Sequence, residues 1–521
     1  MHGGVEEALA GLVHQFADPM ACFRELVQNA VDAGSTEIDI RFRHADGRLV
    51  VQVDDYGEGM DRQIIDTKLT RLFSSSKEDD RTKIGRFGIG FVSVFALAPE
   101  VVCVDTSRSG EHWRVIFRPD RSFTRVAREQ PVDGTKISIY RTMTAGEAAD
   151  FAARAREVIA FWCRHVPAEI RVDGVAISRP FGLDLPCTVA AELGDTRVVA
   201  GHDLGEDSSI TYYNRGLTLL EERPGPFPGV HVKLWSPELE HTMTRDNVLR
   251  DEGHARALEQ ARAQVEGPLR ARLIAVLAEY AATLPLHRAN DRADRLMGHL
   301  ARHVRAGDTL PRETWTTPLV RCHHAGAVDL QALRAAARDG RLYTSTWTSP
   351  LTEAVHARGD LVIAAQPDAQ ALVLVAALVD GPVPALDRRL CTSLPVPAPP
   401  GWDRLRAALE ATLAEAKPRP RSLALADLRY PDSAVATRVA IAQEAPGAVT
   451  SLAEIELSAA RELVLNVGHA VVVDALHLAA REPELAAYIL AKSIRLGRGL
   501  DLDADQRMAS QAMEARWRRT T

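Results

Sequence analysis

The sequence predicts a multidomain α+β protein, and three observations lead to that prediction. The chain has 521 residues, too many for one hydrophobic core, so its length indicates about three or four domains. Strand and helix patterns alternate through its first part, and a proline-rich segment, Leu394–Gly401, precedes a helix-rich end. We expect an α/β sandwich over residues 1–143, an α/β middle domain over residues 144–392 and a mostly helical domain over residues 402–521.

Composition fits a protein in water. Hydrophobic residues make up 46% of the chain and charged residues 26%, as in ordinary globular proteins. A formal net charge of −7 gives no general support for nucleic-acid binding, although a local basic patch stays open. We expect no membrane association, because there is neither a signal segment nor an apolar run of about 18 residues. Six cysteines without a C-x-x-C pair suggest a reduced, cytoplasmic chain.

A polar stripe marks the first helix. Asp18 followed by proline is a start signal and Gly34 a stop signal, so we predict a helix over about residues 19–33. Glu25 and Asn29 are four residues apart and share a face, with Asp32 nearly in line. Such a stripe is either a solvated surface or one wall of a binding site.

An acidic turn follows two strand patterns. Glu37–Phe42 and Leu49–Val53 alternate as strands do, and the second runs into Asp55, Gly57 and Gly59. A carboxylate at the end of a buried strand needs a hydrogen-bond partner, and the exocyclic amine of adenine would serve. The glycines permit a close approach. An exposed acidic turn is the alternative.

The third pattern is a glycine-rich loop, Ile84–Phe91. Its glycines allow successive backbone N–H groups to point at one anion, and a helix predicted over Phe91–Leu97 would add its dipole. The spacing is not that of a P-loop. Nor is it a dinucleotide-binding fingerprint, because the preceding Thr70–Lys83 is polar and lid-like rather than a strand.

Three more strands complete the predicted sheet: Val101–Asp105, His112–Phe117 and Thr135–Tyr140. Thr135 opens the last of them. Its hydroxyl could serve the adenine edge or a water beside Asp55, or it is an ordinary β-branched strand residue.

These patterns, in this order, resemble the Bergerat-type (GHKL) ATPases of gyrase, MutL, histidine kinases and heat-shock chaperones. The sequence of residues 23–33 and 84–93 is most similar to that of the ninety-kilodalton heat-shock chaperones, whose bacterial form is high-temperature protein G. The resemblance is tight over residues 20–93, moderate around Arg245 and Asn466, and loose elsewhere. It implies an N-terminal Bergerat sandwich, a middle domain that takes part in catalysis and a C-terminal dimerisation domain.

The resemblance also implies roles for the helix residues. Glu25 would be the general base that orients and deprotonates the attacking water. Asn29 would ligate Mg²⁺ through its amide oxygen, a hard ligand suited to that ion. Asp32 would line the nucleotide side of the helix.

The remaining ATP contacts follow from the same resemblance. Asp55 would bind adenine, with Gly59 and Thr135 nearby and Met60 packed on the base. The phosphates would be held by the loop residues Gly85, Arg86, Phe87, Gly88, Ile89, Gly90 and Phe91. The presumed lid, residues 61–83, carries Lys77 at a displaced position, so a solvated lysine is the expectation there. By the same resemblance, we expect the N-terminal strand of the family to be shortened in this chain.

The middle region contains further elements. We predict a helix over Gly146–His165, a strand over Ala168–Val175, an alternating β-like stretch over Ser209–Leu220, a strand over Val230–Trp235 and a long helix over about Ala255–Tyr280. Their order resembles the middle domain of the chaperones.

Arg245 lies between the last of those strands and the long helix. By resemblance, it stands where the chaperones deliver an arginine to the γ-phosphate, and a guanidinium there would stabilise charge during phosphoryl transfer. Catalysis would then depend on the docking of the middle domain. The alternative is a surface arginine at the start of a helix.

The C-terminal region is predicted to dimerise. The helix Glu482–Leu496 carries an apolar face with Leu485, Ile489, Leu490 and Ile494. An uncovered face of this kind favours a symmetric homodimer, and packing within the domain is the alternative.

Together these features predict a cytoplasmic, ATP-dependent chaperone: a slow ATPase and homodimeric clamp that requires Mg²⁺ and acts on client proteins. One alternative is a GHKL ATPase acting on nucleic acid, as gyrase, MutL and Microrchidia proteins do, although the net charge of −7 does not favour a nucleic-acid partner. Another is a nucleotide-sensing scaffold. A histidine kinase is not expected, because no phosphoacceptor helix precedes the pocket.

Overall fold

The structure is a computed structural model that describes residues 18–70, 89–120, 122–240, 247–284, 290–307, 309–414, 418–496 and 501–520. The chain divides into two compact units, residues 1–272 and 273–521. Among the described residues, the first unit contains an eight-stranded and a five-stranded sheet, and the second contains two four-stranded sheets and a two-stranded one.

The eight-stranded sheet has the order β5-β4-β3-β6-β2-β1-β7-β8. Its strands are β1 Glu37–Ala45, β2 Arg48–Asp55, β3 Val101–Arg108, β4 Glu111–Phe117, β5 Phe123–Ala127, β6 Thr135–Thr142, β7 Glu169–Val172 and β8 Val175–Ala176. Apolar and polar residues alternate at the start of β1, which buries Ile38 and Ile40 in the core. Asp46 and Gly47 have positive φ and close the β1–β2 hairpin. The five strands predicted before residue 143 are confirmed as β1, β2, β3, β4 and β6, each slightly longer than expected.

Helices contribute the other side of this core. They are α1 Ala21–Asp32, α2 Arg62–Ile64 continuing as π-helical Ile65–Leu69, α3 Ile89–Val92 continuing as 3-10 helical Ser93–Leu97, and α4 Ala145–Cys163. Phe23 of α1, Phe42 of β1 and Phe151 of α4 meet edge to face, with ring centroids 5.9 to 6.4 Å apart. This aromatic cluster fixes α1 against the sheet.

The first core extends beyond the boundary predicted at residue 143. Helix α4 begins with a capping box of Thr144 and Glu147, and it buries its apolar face in the same core. After α4, strand β7 pairs in parallel with β1. The single strand predicted over Ala168–Val175 is two strands, because Asp173 and Gly174 have positive φ and turn the chain.

The five-stranded sheet has the order β12-β11-β13-β10-β9. Its strands are β9 Cys187–Leu193, β10 Thr196–His202, β11 Ser209–Asn214, β12 Leu217–Glu222 and β13 Val230–Trp235. The stretch predicted as continuous over Ser209–Leu220 is a hairpin, because Arg215 and Gly216 have φ of 50° and 83° and reverse the chain.

A long helical run begins after this sheet. It consists of α5 Glu252–Gln264, a π-helical segment Val265–Leu269 and α6 Arg270–Thr283. The sequence predicted one regular helix over Ala255–Tyr280. Pro268 explains the π-helical segment, because proline donates no backbone hydrogen bond and a local widening of the helix accommodates it.

An α/β region occupies the first part of the second unit, with a sheet of order β15-β14-β17-β16. Its elements are α7 Asp291–Arg305, α8 Arg312–Thr316, β14 Pro318–Cys322, β15 Gly326–Asp329, α9 Leu330–Arg338, β16 Leu342–Ser345, α10 Pro350–Ala357, β17 Leu361–Ala364 and α11 Gln370–Leu378. The buried strand predicted over Gly359–Ala364 is confirmed as β17.

The last part of the chain combines a sheet of order β19-β20-β23-β21 with four helices among the described residues, and β18 pairs separately with β22. The elements are β18 Leu390–Cys391, β19 Leu394–Pro395, α12 Trp402–Thr412, β20 Leu423–Asp427, β21 Ala440–Gln443, β22 Thr450–Ser451, β23 Glu462–Asn466, α13 Ala470–Leu478, α14 Pro483–Arg495 and α15 Leu502–Thr520. The predicted linker Leu394–Gly401 thus begins as an edge strand, where proline is tolerated.

The apolar face of α14 differs from expectation. Leu490 and Ile494 are buried in a core that also includes Leu405 of α12 and Met508 of α15, so the domain itself covers much of the face assigned to a partner. Ile489 stays exposed. The sequence pattern could not show that α15 returns to pack on α14.

Two further features are the composition of the helices and the state of the cysteines. None of the described helices combines the length and the apolar composition that a bilayer crossing requires. All six cysteines are free thiols, and five of them are buried.

Candidate active site

Helix α1 presents an acid, an amide and a second acid on one face. Its apolar side, with Phe23, Leu26 and Val27 among others, is buried in the first core. Glu25, Asn29 and Asp32 stand at positions i, i+4 and i+7, which brings their side chains to the same face. The Glu25 side chain is buried, with 3% of its surface exposed, whereas Asn29 and Asp32 are exposed.

Glu25 lies directly against the end of the glycine-rich loop. A Cβ added to Gly90 would lie only 2.6 Å from Glu25 Oε2. A methyl group at position 90 would displace the end of the Glu25 side chain, so glycine at this position permits the close approach. The carboxylate of α1 and the start of α3 therefore meet at one point.

Asp55 lies at the end of β2, with 8% of its surface exposed. Its Oδ1 accepts a hydrogen bond of 3.0 Å from the backbone N–H of Gly57. Burial raises the pKa of the Asp55 carboxyl; backbone N–H groups of Gly57 and Thr135 oppose the rise, and the charge of Asp54 adds to it.

Asp54, the preceding residue, is neutralised by the protein itself. Its Oδ2 accepts hydrogen bonds from Arg41 Nη1 at 2.9 Å and from Gln52 Nε2 at 2.7 Å. Adjacent residues of a strand point to opposite faces. Only one acid of this pair is therefore presented toward the predicted adenine site.

A threonine pair supports the turn after Asp55. The Thr106 hydroxyl accepts a hydrogen bond of 2.8 Å from Met60 N and lies 3.1 Å from the Thr135 hydroxyl. Gly59 has a φ of 68°, and a Cβ there would collide with the Ser107 carbonyl oxygen. The Thr135 hydroxyl thus contacts a protein group, and the Met60 side chain is half-buried against the core.

Asp32 has a partner that the sequence did not reveal. Arg215 Nη1 donates a hydrogen bond of 2.9 Å to Asp32 Oδ1 from the tip of the β11–β12 hairpin. Sequence reasoning also missed Thr106, which pairs with Thr135 in the sheet register. Asn214-Arg215-Gly216 was a usable turn signal for the hairpin, but nothing local pointed to its contact with α1.

Several predicted site residues lie outside the described residues, or only partly within them. Gly85, Arg86, Phe87, Gly88 and Arg245 are not described, nor is Lys77. The backbone of Ile89 begins α3. The Phe91 ring is buried against Phe117, at a centroid distance of 5.2 Å, so only its backbone could contact a phosphate.

The described residues fit a magnesium nucleotide. Among them, no group of three or more His, Cys, Asp or Glu side chains has the arrangement of a metal site. Mg²⁺ often takes only one or two protein ligands and completes its shell with phosphates and water. The exposed side chain of Asn29, on the same face of α1 as Glu25, suits that mode, and the buried acceptor Asp55 suits the amine of adenine.

Comparison with known proteins defines the class of this site. Residues 20–145 match the family described as histidine kinase-, DNA gyrase B- and HSP90-like ATPase. This part of the chain is therefore a GHKL-type ATPase domain, the kind of domain that binds ATP.

The individual relatives fall into two groups. The DNA mismatch repair protein MutL of Opitutus terrae is 42% identical over 72 residues, which cover 13% of this chain and 11% of that protein. The chaperone protein HtpG of Serratia proteamaculans is 27% identical over 203 residues, or 32% of each chain. The MutL of Gemmatimonas aurantiaca is 28% identical over 263 residues, covering 47% of this chain and 41% of that protein. The matched regions thus span less than half the length of each of these relatives.

Proposed function

We propose that this protein is an ATP-dependent molecular chaperone, a homodimeric clamp that binds and hydrolyses ATP to hold or remodel client proteins. The observation that carries the ATPase part is the close approach of Gly90 to the Glu25 carboxylate. This approach places the Glu25 carboxylate against the end of the glycine-rich loop, on the face of α1 that also carries Asn29. The similarity to HtpG over 203 residues supports the chaperone part.

Each residue has a distinct role in the proposed reaction. Glu25 orients the attacking water and removes its proton. The Asn29 oxygen would hold Mg²⁺, and the bound ion would supply positive charge that offsets the charge of the phosphates. Asp55 binds the adenine amine, and the glycine-rich loop, Gly85–Phe91, binds the phosphates. Arg245 supplies a guanidinium to the γ-phosphate and makes turnover depend on the middle region.

Two substitutions test the ATPase assignment. Glu25→Ala should retain ATP binding and lower kcat by a factor of about 100 or more, because general-base catalysis contributes on this scale. Gly90→Ala should lower kcat by about 10- to 100-fold with the fold intact, because its methyl group displaces the carboxylate by a fraction of an ångström or more.

Glu37→Ala, which alters an exposed acid at the start of β1, is the matched control. Nucleotide affinity is measured by calorimetry and turnover by phosphate release. Unchanged turnover in Glu25→Ala would remove Glu25 as the base.

Arg245 has a separate test. Arg245→Ala should reduce hydrolysis while ATP affinity stays near that of the wild type, because the arginine acts on charge that develops in the transition state. Full activity would show that the middle region does not complete the site.

A second candidate is an ATPase that acts on DNA, and the 263-residue similarity to a DNA mismatch repair protein favours it. Two assays separate the candidates. The chaperone proposal expects ATP-dependent suppression of client aggregation and no stimulation of turnover by DNA. Salt-dependent DNA binding that stimulates turnover, without client protection, would favour the second candidate.

The dimer is proposed to form through the C-terminal domain. Leu502 and Met513 of α15 are 76% and 57% exposed, and Ile489 of α14 is also exposed. Met513→Glu should therefore shift the protein toward monomers in sedimentation experiments. Val175→Glu, at an equally exposed apolar position on β8, is the control. A dimer that survives Met513→Glu and the same change at Leu502 would place the interface elsewhere.

A further inference from the structure

The Arg215–Asp32 ion pair connects helix α1, which packs on the eight-stranded sheet, to the five-stranded sheet. Asp32 is the last residue of α1, seven positions after Glu25 and on the same face. Arg215 belongs to the hairpin of the five-stranded sheet. The contact therefore ties the helix of the proposed general base to an element outside the eight-stranded sheet.

Helix α1 is electrostatically incomplete without this arginine. The C-terminal end of a helix carries a partial negative charge, which favours a cation in the last turn. The last turn of α1 has no basic residue of its own and ends on an acid. Asp32 adds a negative charge at the unfavourable end, and Arg215 supplies the cation from the neighbouring sheet.

The hairpin tip that carries Arg215 is held firmly. A Cβ at Gly216 would collide with the carbonyl oxygen of His165, just beyond α4, so the turn is packed closely against that segment. The Thr218 hydroxyl donates a hydrogen bond of 2.9 Å to the Phe161 carbonyl within α4. Arg215 thus reaches Asp32 from a fixed base rather than from a loose loop.

The same sheet leads to the proposed catalytic arginine. Strand β11, which ends at this hairpin tip, pairs in parallel with β13. Strand β13 ends at Trp235, ten residues before Arg245 in the sequence. The five-stranded sheet therefore contacts the end of α1 through Arg215, and its strand β13 is followed in the sequence by the segment that contains Arg245.

We propose that Arg215 is a positioning residue that sets α1, and with it Glu25, relative to the five-stranded sheet. This inference rests on the proposed ATPase function. Arg215 touches neither water nor nucleotide in this role. It acts through Asp32 on the placement of the general base, so it affects the chemical step more than ATP affinity.

The test separates kcat from KM. Arg215→Ala should lower kcat about threefold to fivefold with KM for ATP within about twofold, as expected for a partly exposed ion pair at a helix end. Alanine at a φ of 50° has backbone strain similar to that of arginine, so the substitution isolates the side chain. Arg215→Lys, which keeps the charge, should recover part of the loss.

Arg223→Ala is a closely matched control. Arg223 follows the same hairpin, has a side chain 65% exposed compared with 69% for Arg215, and pairs with Glu221 rather than with α1. It should leave kcat unchanged. Equal losses in both variants would assign the effect to the hairpin as a whole and overturn the proposal.

A charge exchange tests the pair itself. Arg215→Asp and Asp32→Arg should each lower kcat, and the double variant should return to within about twofold of the wild type. Failure of the double variant to recover would assign Asp32 to the nucleotide and overturn the pairing role.

Hydrogen exchange of the α1 amides, measured without nucleotide, tests the contact apart from hydrolysis. Residues 29–32 should exchange faster in Arg215→Ala than in the wild type or in Arg223→Ala. If the wild type does not hydrolyse ATP, the proposed function fails while this readout still tests the positioning contact. Unchanged exchange together with unchanged kcat would overturn the inference.

Discussion

A buried polar side chain ends a strand in each of the two units, and the two differ in how their hydrogen bonds are filled. Asn466 ends β23 and is fully buried. Its Oδ1 accepts from the N–H groups of Leu428 and Gly468, and its Nδ2 donates to the carbonyls of Ala436 and Arg438. The capacity of this amide is used completely within the protein.

Asp55, at the end of β2, is the opposite case. A carboxylate can accept about four hydrogen bonds, and the backbone donors at Gly57 and Thr135 account for two of them. Burial raises the pKa of the Asp55 carboxyl, and the N–H groups of Gly57 and Thr135 oppose that rise. The comparison distinguishes two buried polar groups: Asn466 has its hydrogen-bonding capacity filled within the protein, whereas Asp55 keeps acceptor capacity and is the group that we propose binds adenine.

Replacing the acid at position 55 by the corresponding amide should have the largest effect on ATP affinity. Asp55→Asn replaces an acceptor by a group that can present a donor to the adenine amine, so ATP affinity should fall on the order of a thousandfold. Calorimetry with ATP measures the loss. The fold should remain, because the variant removes a buried charge.

Asp54→Asn is the control for that experiment. Asp54 is equally buried, but its partners are Arg41 and Gln52, so ATP affinity should change little. Normal affinity in Asp55→Asn, or an equal loss in both variants, would refute the adenine assignment.

The reverse exchange at the other strand end should affect stability rather than binding. Asn466→Asp turns two donors toward carbonyl oxygens into acceptors, which should lower the free energy of unfolding by about 3 kcal/mol. Urea denaturation followed by circular dichroism measures the change. ATP affinity of the folded protein should stay within about twofold, and a large loss of affinity would mean that the two sites are coupled.

The sequence revealed those parts of the site that follow one another along the chain. Glu25 and Asn29 could be placed on one face because helical periodicity is local, and Asp55 could be placed because a strand pattern runs directly into it. The turn at Asp46 and Gly47 was also readable from residue type.

What could not be predicted depends on distant pairings. Strand β7 joins β1 across about 130 residues, so no local pattern shows that the first sheet continues beyond α4. Arg215 and Asp32 are 183 positions apart, and neither residue type signals the other. The face of α14 was misjudged for the same reason, because its cover on α15 comes later in the chain.

The smallest expected effect is a dependence on pH that has opposite signs for binding and for stability. In the proposed site the adenine amine would donate to an ionised carboxylate, and burial raises the pKa of Asp55. ATP affinity should therefore be highest above this raised pKa and fall, by less than about tenfold, as the pH drops through it. Without ATP, the folded protein binds this proton more tightly than the unfolded chain does. The contribution of Asp55 to stability is thus fully present below its unfolded pKa and is lost as pH rises through the folded pKa.

The difference in unfolding free energy between the wild type and Asp55→Asn, measured at several pH values, should shift toward the wild type on acidification. If affinity and this difference moved in the same direction, the titrating group would not be Asp55, and its contrast with Asn466 would lose its physical basis.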